Sequence, residues 1–569
     1  MNSRFLYLSL FVLFSCSVKA QENVLELSAS VDSLFRQHFN DQTPGAAIAI
    51  SLNGELIISR QYGLANLDHK IPVTDQTRFH LTSGSKQFTA YAILKLEQQN
   101  LLSLDDEIHQ YLPGLPDFGH PITIKHLLTH TSGIRQETVL EHIVGYWKNQ
   151  VMTQARALEL IYSQRELNFE PGTHFKYSNS GYTLLAEIIQ HITEESFESW
   201  MEEHVFKPIG MNNTSVSGNY GNVIPKRAEP YDKNNDGYFR DSGGLWHFYG
   251  GTGVYSCSSD LIRWLAYLDN PSEEDKVIIS RMEQQATLSN GERIVWGLGL
   301  IVDQGVQGQR RIWHPGDSPG YHAWIGRYPD KNVGMVILTN LDSFQPEYIA
   351  DDIAGNFFPD SGQTHHDKEE GDDAGLMRSP DEITGWYRTE PMPFWYVSEL
   401  WRISDSDGEL YFDPGNGAKI PLKGDTPTEF QLANTPLSLR FKRNGATNQI
   451  ELVLKGPEGD QYAQKISKDD FEFHISSANE LAGEYYSPEL KTEYEIFIEG
   501  AKLKVRHLSP YVNRRWNTFD LQPINKDVFA SDRAFFTYVQ FERNSNEEII
   551  GLRLASRTGR VQGLWFEKR

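Results

Sequence analysis

An acidic stretch at residues 359–381 divides this sequence into two parts that need different folds. It reads PDSGQTHHDKEEGDDAGLMRSPD, which holds too few apolar residues to fold, so we interpret it as a linker. The whole chain has 569 residues, too many for one hydrophobic core. Before the linker, strand-like runs flank a long region with helical spacing. After it, short alternating strands are separated by Gly, Asn and Asp turns.

Residues 21–358 have the pattern of an α/β domain. Asn53-Gly54 joins two apolar runs and predicts a β-hairpin. Further strand-like runs are WGLGLIV, RIWHPG, YHAWIGRYP and VGMVILTN, and helices are predicted over residues 24–41, 83–98, 258–268 and 345–357. Because strands lie at both ends with helices between them, we predict a mixed sheet flanked by helices, plus a helical subdomain.

The part after the linker carries a weak internal repeat. TGWYRTE at residues 384–390 matches AGEYYSP at residues 482–488, and each copy continues as strand, turn and strand. The pattern predicts an all-β region of two antiparallel, lipocalin-like β-barrels, over residues 382–478 and 479–569. The sequence leaves open whether the barrels bind ligands, cover a site or act as spacers.

Residues 1–20 have the features of a secretory signal peptide. Arg4 precedes an apolar run of about ten residues, and Val18-Lys-Ala20 suits a cleavage site, so we expect an exported, periplasmic or secreted protein. Lipid attachment at Cys16 is the minor alternative. The only other cysteine is Cys257, which leaves no pair for an intrachain disulfide after cleavage.

The formal net charge of −23 argues against nucleic acid or an anionic membrane surface as the main partner. No apolar stretch is long enough to span a bilayer. The expected partner is therefore a small molecule or a short peptide. The oligomeric state stays open, with a homodimer among the possibilities.

Ser83 and Lys86 form an S-x-x-K motif at the start of the helix predicted over residues 83–98. A spacing of three places both side chains on one face of the first turn. A serine hydroxyl needs a neighbouring base to become a nucleophile, and a desolvated lysine can supply one. On its own the motif is also consistent with Ser83 acting only as a helix cap.

Two further motifs must fold back onto Ser83 if the chain is a hydrolase. Tyr177 and Asn179 form Y-x-N, in which Tyr177 can relay protons between Ser83 and a leaving group and Asn179 can hold a substrate amide. His314 and Gly316 form H-x-G, predicted in a loop that follows the strand RIW. There, Gly316 would let substrate backbone approach, and His314 could orient Tyr177.

These three ordered motifs resemble those of the penicillin-recognising serine hydrolases, in the branch similar to class C β-lactamases and D-specific peptidases. The resemblance extends over residues 24–357 and includes ITIKHLLTHTSGI, PGTHFKYSNSGY, GMNNT and GGTGVYSCSSDL. It implies a β-lactamase-like fold and a two-step acyl transfer to water, with no metal or cofactor. It further implies Ser83 as nucleophile, Lys86 and Tyr177 as general acid and base, and the N–H groups of Ser83 and Asp317 as the oxyanion hole.

His314 departs from the family pattern, which usually has lysine in the third motif, as K-T-G. The family's D-aminopeptidases and esterases share this histidine, and it argues against efficient binding of a β-lactam or a peptide carboxylate. One hydrolase domain followed by two barrels also resembles the D-aminopeptidase architecture, in which a barrel loop reaches the active site. We therefore expect hydrolysis of short peptides that contain D-residues.

Three alternatives remain open at the level of function: a carboxylesterase acting on short acyl esters, a penicillin-binding protein without efficient turnover, and a non-catalytic sensor that reuses the fold. Other motifs are weaker. Gly316–Gly320 fits the G-x-S-x-G nucleophile elbow around Ser318, but a turn and a strand follow instead of a helix. Asp232–Gly237 imitates a calcium loop without its closing glutamate. His365-His366 lies in the linker, and we predict no metal site.

Overall fold

The computed structural model describes residues 24–145, 151–219, 221–241, 246–358, 382–389 and 400–569, the last range with short gaps at 407, 415–418, 425–427, 433–436, 444–449, 456–460, 466–474, 510–516, 525 and 557–558. The predicted signal peptide, with Cys16, and the predicted linker at 359–381 lie outside these residues. Within the described ranges, no helix combines the length and apolar character that a membrane crossing requires.

The first domain alternates helices with short strands, as its sequence pattern predicts. Its helices are α1 (24–36), α2 (Lys86–Gln98), α3 (Ile124–Leu128), α4 (Glu137–Val144), α5 (Gln154–Ser163), α6 (Asn179–Thr193), α7 (Phe197–Met201), α8 (Lys207–Ile209), α9 (Ser258–Asp269), α10 (Lys276–Met282) and α11 (Glu347–Gly355). Its strands are β1 (Ala46–Leu52), β2 (Glu55–Tyr62), β3 (Leu64–Asn66), β4 (Ile71–Pro72), β5 (Phe79–His80), β6 (Met152–Thr153), β7 (Ser215–Val216), β8 (Tyr231–Asn234), β9 (Gly237–Arg240), β10 (Trp246–His247), β11 (Val254–Ser256), β12 (Ile301–Gln304), β13 (Arg310–Ser318), β14 (Tyr321–Tyr328) and β15 (Val333–Thr339).

The central sheet has six strands in the order β12-β13-β14-β15-β1-β2, so the two ends of the domain meet at its middle. The predicted hairpin is confirmed: Asn53 and Gly54 have φ values of 53° and 78°, as a tight two-residue turn requires. The predicted mixed sheet is wrong in one respect, because every pair of neighbouring strands in it is antiparallel. Four of these pairs join strands that are consecutive along the chain through short turns, which give antiparallel pairs. The fifth pair, β15 with β1, joins the two ends of the domain and is antiparallel as well.

The sheet separates two hydrophobic cores. Along β1, Ala47 and Ala49 point into a core shared with α2, α6 and α9, while Ile48 and Ile50 point into a core shared with α1 and α11. Alternate residues of a strand face opposite sides, so a strand buried on both faces is apolar throughout. This arrangement holds the N-terminal end of α2, with the S-x-x-K motif, against the sheet.

Two closed antiparallel barrels of eight strands follow, which confirms the predicted fold class. The first contains β16 (Gly385–Thr389), β17 (Leu400–Ser406), β18 (Glu409–Asp413), β19 (Ile420–Lys423), β20 (Glu429–Leu432), β21 (Ser438–Arg443), β22 (Ile450–Lys455) and β23 (Gln461–Lys465). The second contains β24 (Gly483–Ser487), β25 (Thr492–Glu499), β26 (Lys502–His507), β27 (Thr518–Pro523), β28 (Val528–Ala530), β29 (Tyr538–Arg543), β30 (Ile549–Ala555) and β31 (Leu564–Lys568).

The internal repeat corresponds to the first strand of each barrel. Tyr387 donates its hydroxyl hydrogen to the Ile383 carbonyl, and Tyr485 does the same to the Leu481 carbonyl. Both tyrosines are completely buried in their barrel cores. The two copies therefore share a structural role as well as a sequence pattern.

The second barrel packs on the helical subdomain of the first domain. Leu140 and Ile143 of α4 belong to the same hydrophobic core as the interior of this barrel. Tyr494 donates a hydrogen bond to the Ile143 carbonyl at 2.7 Å. At the edge of this contact, Arg135 forms a buried ion pair with Glu489 at 3.0 Å. The core of the first barrel, among the described residues, contains only its own side chains.

Candidate active site

Ser83 lies in a 3₁₀ turn, Thr82–Ser85, that leads directly into α2. The sequence predicts one helix from Ser83 onward, but the turn winds more tightly. Thr82 has a φ of 49°, which is unusual for a β-branched residue and signals backbone strain. The Leu81 N–H donates to the Val254 carbonyl at 2.8 Å, so β11 holds the turn in place.

Lys86 is completely buried and reaches three acceptors. Its Nζ lies 2.6 Å from Asn179 Oδ1, 2.7 Å from the Gly251 carbonyl and 3.3 Å from Ser83 Oγ. Burial lowers the pKa of Lys86 well below its ordinary value. A neutral amine has two hydrogens, and the two closer acceptors use both. Its lone pair then faces the Ser83 hydroxyl, as a general base requires.

Tyr177 donates its hydroxyl hydrogen to Ser83 Oγ at 2.7 Å. Burial raises the pKa of Tyr177 well above its ordinary value, so the phenol stays protonated. Tyr177 and Asn179 flank Ser178, the residue that precedes α6 in extended conformation. The structure thus brings the first two motifs together, with Ser83 between an amine of lowered pKa and a phenol that donates a hydrogen bond.

Tyr177 is held by aromatic side chains to which the sequence analysis assigned no role. The rings of His130 and Trp296 lie 4.4 Å and 5.6 Å from the Tyr177 ring. His130 lies in the stretch ITIKHLLTHTSGI, whose resemblance to the family could have indicated that this histidine lies near the site. Trp296 begins a run that predicts a strand, but strand β12 starts only at Ile301. The chain turns at Gly299, where φ is 75°.

His314 lies within β13, so its predicted position in a loop after the strand is wrong. The strand continues to Ser318 because β14 pairs with it along that length. His314 is completely buried, and its ring packs on Trp296 at 5.3 Å. Burial lowers the pKa of His314 to about 3, so the ring is neutral. His314 therefore supplies no positive charge at the position where the family pattern has lysine.

Gly316 is required by a close approach of backbones. A Cβ atom at this position would lie 2.2 Å from the Leu81 carbonyl oxygen and 2.3 Å from Thr82 Oγ1. The next residue, Asp317, has a half-exposed side chain that faces His322 Nδ1 at 3.3 Å. Strand β13 thus lies directly against the turn that carries Ser83, which places all the predicted site residues in one region.

A buried carboxyl group also belongs to this region. Glu137 accepts a hydrogen bond from Ser180 Oγ at 2.5 Å, and burial raises the pKa of Glu137 to about 7. No motif or pattern in the sequence pointed to Glu137.

Arg560 is a further side chain at the site that sequence reasoning missed. It comes from the loop between β30 and β31 of the second barrel, and its guanidinium carbon lies 5.1 Å from the centre of the Tyr177 ring. The resemblance to the D-aminopeptidase architecture implies a barrel loop at the site, but no sequence pattern singled out Arg560.

The G-x-S-x-G and calcium-loop motifs do not have the local structure that their functions require. Ser318 ends β13 and is followed by a turn into β14, so no helix follows it. Asp232 and Asp236 lie in the hairpin of β8 and β9. Among the described residues, the carboxylates that could jointly hold a metal ion are Asp232, Asp241 and Asp342, which lie within 4.8 Å of one another. Partly exposed acidic groups often cluster without an ion, and these three make none of the contacts around Ser83 described above.

Comparison with known proteins agrees with this geometry. The sequence profile of the beta-lactamase family matches residues 31–356. Protein flp of Staphylococcus aureus strain MW2 is 28% identical over 313 residues, or 54% of this chain and 61% of that protein. The chain therefore spans less than two thirds of this relative's length.

Two solved structures share the fold. The octameric penicillin-binding protein homologue from Pyrococcus abyssi has a TM-score of 0.53 and 23% identity, and the match covers 78% of this chain and 100% of that one. The D-amino acid amidase from Ochrobactrum anthropi SV3, in complex with D-phenylalanine, has a TM-score of 0.50 and 21% identity, over 59% of this chain and 98% of that one. With the profile match over more than half of its length, this chain belongs to the beta-lactamase family, the penicillin-recognising serine hydrolases.

Proposed function

We propose that this protein is a serine amidase or peptidase that forms an acyl-enzyme at Ser83 and cleaves short peptides containing D-residues. The observation on which the proposal depends most is the 2.7 Å hydrogen bond from Tyr177 to Ser83. It puts a proton donor beside the nucleophile, at the place where a leaving group departs. The neutral Lys86 on the other side of Ser83 supplies the base.

In the acylation step, Ser83 Oγ attacks the substrate carbonyl carbon as its proton passes to Lys86 Nζ. The C–N bond then breaks, and the leaving nitrogen takes the phenolic proton of Tyr177, which is replaced by the proton that Lys86 received. The products are the Ser83 ester and a free amine. Water repeats the sequence on that ester, which releases the acid and restores the Ser83 hydroxyl. The N–H groups of Ser83 and Asp317 would stabilise the oxyanion.

Amide cleavage fits this arrangement because an amine cannot leave without a proton. Tyr177 retains its proton at neutral pH, since burial raises its pKa. We infer the preference for substrates with D-residues from the D-amino acid amidase, whose structure shares the fold. The barrel loop at the site, which carries Arg560, fits the D-aminopeptidase architecture expected from the domain layout.

A carboxylesterase is the second candidate, and His314 favours it. The neutral His314 ring gives no charge to the third motif, and an ester without a carboxylate needs none there. A penicillin-binding protein with slow turnover would use the same Ser83 chemistry but would stop at the acyl-enzyme.

A substrate panel on the mature protein, with Ser83→Ala as the blank, tests the proposal. It contains the p-nitroanilides of D-alanine and L-alanine, p-nitrophenyl acetate and butyrate, and a chromogenic cephalosporin. We expect turnover of the D-anilide above the L-anilide, and none with Ser83→Ala. Turnover of esters alone would make the protein an esterase. No turnover, with a fluorophosphonate failing to label Ser83, would indicate a non-catalytic protein.

A further inference from the structure

The loop between β30 and β31 is fixed to the first domain by its backbone. The Arg560 carbonyl accepts hydrogen bonds from the Gln136 N–H at 3.1 Å and from Asn168 Nδ2 at 3.0 Å. Two residues later, the Gln562 N–H donates to Asn168 Oδ1 at 2.7 Å, and the Gln562 carbonyl accepts from Arg135. These contacts set the position from which the Arg560 side chain reaches Tyr177.

Arg560 supplies a permanent positive charge to a site whose other basic side chains have lowered pKa values. Burial lowers the pKa of Lys86 and of His130 well below their ordinary values, and that of His314 to about 3. A guanidinium keeps its charge at every physiological pH and binds carboxylates in a planar, bidentate way. The nearest family equivalent, a lysine in the third motif, is missing because His314 occupies that position.

The two carboxyl groups near Arg560 cannot bind an anionic group, as a guanidinium can. Glu137 is buried and bonded to Ser180. Asp317, on β13, faces His322 of β14. Both are acidic, so neither can bind an anionic group of a substrate.

We propose that Arg560 binds an anionic group on the leaving-group side of the substrate, the simplest case being the carboxylate of the amino acid released from a dipeptide. Tyr177 marks that side, because it is the proton donor to the departing group. The inference rests on the proposed function and narrows it: the preferred peptides are very short, since only then does the free carboxylate lie close to the scissile bond.

The test compares substrates that differ only in this charge. The ester pair is 3-acetoxybenzoate and 3-acetoxybenzamide, and the peptide pair is D-Ala-Gly and D-Ala-glycinamide. For each pair, the ratio of kcat/KM for the charged over the neutral substrate is measured in the wild-type protein, in Arg560→Gln, Arg560→Lys and Arg560→Glu, and in Arg506→Gln. Arg506 is a matched control on β26 of the same barrel, where it pairs with Glu495.

We expect the wild-type ratio to favour the charged substrate about ten- to a hundredfold, the usual effect of a charge-assisted hydrogen bond. Arg560→Gln should remove the preference, mainly through KM, and Arg560→Glu should reverse it. Arg560→Lys should keep part of it, which separates charge from packing, and Arg506→Gln should keep all of it. Thermal unfolding of each variant shows that it is folded.

An unchanged ratio in Arg560→Gln, or no preference in the wild-type protein, would overturn the inference while leaving the serine hydrolase intact. If only the esters are cleaved, the D-peptide substrate class fails, and the ester ratio still decides the role of Arg560. If the wild-type protein cleaves neither pair, the proposed function fails and this inference fails with it.

Discussion

Asn179 lies closer to Lys86 than Ser83 does: Lys86 Nζ is 2.6 Å from Asn179 Oδ1 and 3.3 Å from Ser83 Oγ. The amide oxygen takes one hydrogen of the buried amine, and the Gly251 carbonyl takes the other at 2.7 Å. The Y-x-N motif therefore orients the base, in addition to any contact it makes with a substrate.

Asn179→Asp should shift the pH dependence of the reaction. A carboxylate beside Lys86 favours its charged form and so raises its pKa, typically by one to about three units. Because only the neutral amine can accept the Ser83 proton, the ascending limb of the kcat/KM profile should move to higher pH by a similar amount. The rate at pH 7 should fall by about tenfold or more and recover in alkaline buffer.

The control for this change is Gln190→Glu, which adds the same charge to the same helix, α6, beside Phe197 instead of Lys86. Profiles are measured with p-nitrophenyl acetate from pH 5 to 10. An Asn179→Asp profile that coincides with the wild-type one would show that Lys86 is not the base.

Tyr177→Phe should damage amide cleavage more than ester cleavage. The change removes the hydroxyl that lies 2.7 Å from Ser83 Oγ but keeps the ring. A positioned proton donor is worth about 10² to 10⁴ in rate, and an amine needs that proton whereas p-nitrophenolate leaves without it. We expect the anilide rate to fall by that factor and the p-nitrophenyl acetate rate to fall much less.

Tyr111→Phe is the matched control for Tyr177→Phe, because it removes a hydroxyl that bonds to Asp106 instead. Equal losses on anilide and ester in Tyr177→Phe would assign the residue to binding or packing.

Gly316→Ala should disturb the turn that carries Ser83. The new methyl group would lie 2.2 Å from the Leu81 carbonyl oxygen, a distance that backbone atoms cannot tolerate. Forced repacking of this kind costs about 1 to 3 kcal/mol of the free energy of unfolding. We expect a lower thermal midpoint together with a loss of fluorophosphonate labelling at Ser83.

Gly355→Ala provides the comparison for Gly316→Ala, since its added Cβ meets only Val306 at an ordinary 3.8 Å. Normal labelling in Gly316→Ala would contradict the close approach of β13 to the Ser83 turn.

His80→Gln should make the protein less sensitive to acid. His80 is completely buried and accepts a hydrogen bond from the Gly253 N–H at 3.2 Å, and burial lowers its pKa to about 3. Between the ordinary histidine pKa of about 6.5 and this value, the unfolded chain binds a proton that the folded one does not. The folded state therefore loses up to about 1.4 kcal/mol per pH unit as pH falls through this window.

Urea unfolding followed by tryptophan fluorescence at pH 7 and pH 4 measures this effect. The loss of stability between the two pH values should be smaller in His80→Gln than in the wild-type protein, whereas changing the exposed His69 to Gln should leave the loss unchanged. A wild-type-sized loss in His80→Gln would place the acid sensitivity elsewhere.

The sequence could predict features that depend on neighbouring residues or on the order of motifs along the chain. The turn at Asn53-Gly54, the strands around it and the repeat that begins at Thr384 and Ala482 all follow from neighbouring residues. The motifs at Ser83, Tyr177 and His314 could be placed together only because their order resembles a known family. Nothing in the spacing of these residues, taken alone, brings them to one point.

The features that sequence reasoning missed depend on contacts between distant segments. Trp296 packs against Tyr177 from a loop. The apolar residues that follow Trp296 in the sequence made this loop look like a strand. His314 lies inside a strand because β14 extends the pairing beyond Gly316, which no local pattern in the third motif indicates. Arg560 reaches the site only through the docking of a whole barrel onto α4.

Residue 560 lies far outside the 31–356 segment that the family profile matches, yet its side chain lies beside Tyr177. Grouping relatives by that segment alone would therefore overlook a charged side chain beside Tyr177. The sequence between β30 and β31 is the place to compare when two such proteins share their motifs but differ in what they cleave. A change confined to this loop would alter the surroundings of Tyr177 and leave the three motifs unchanged.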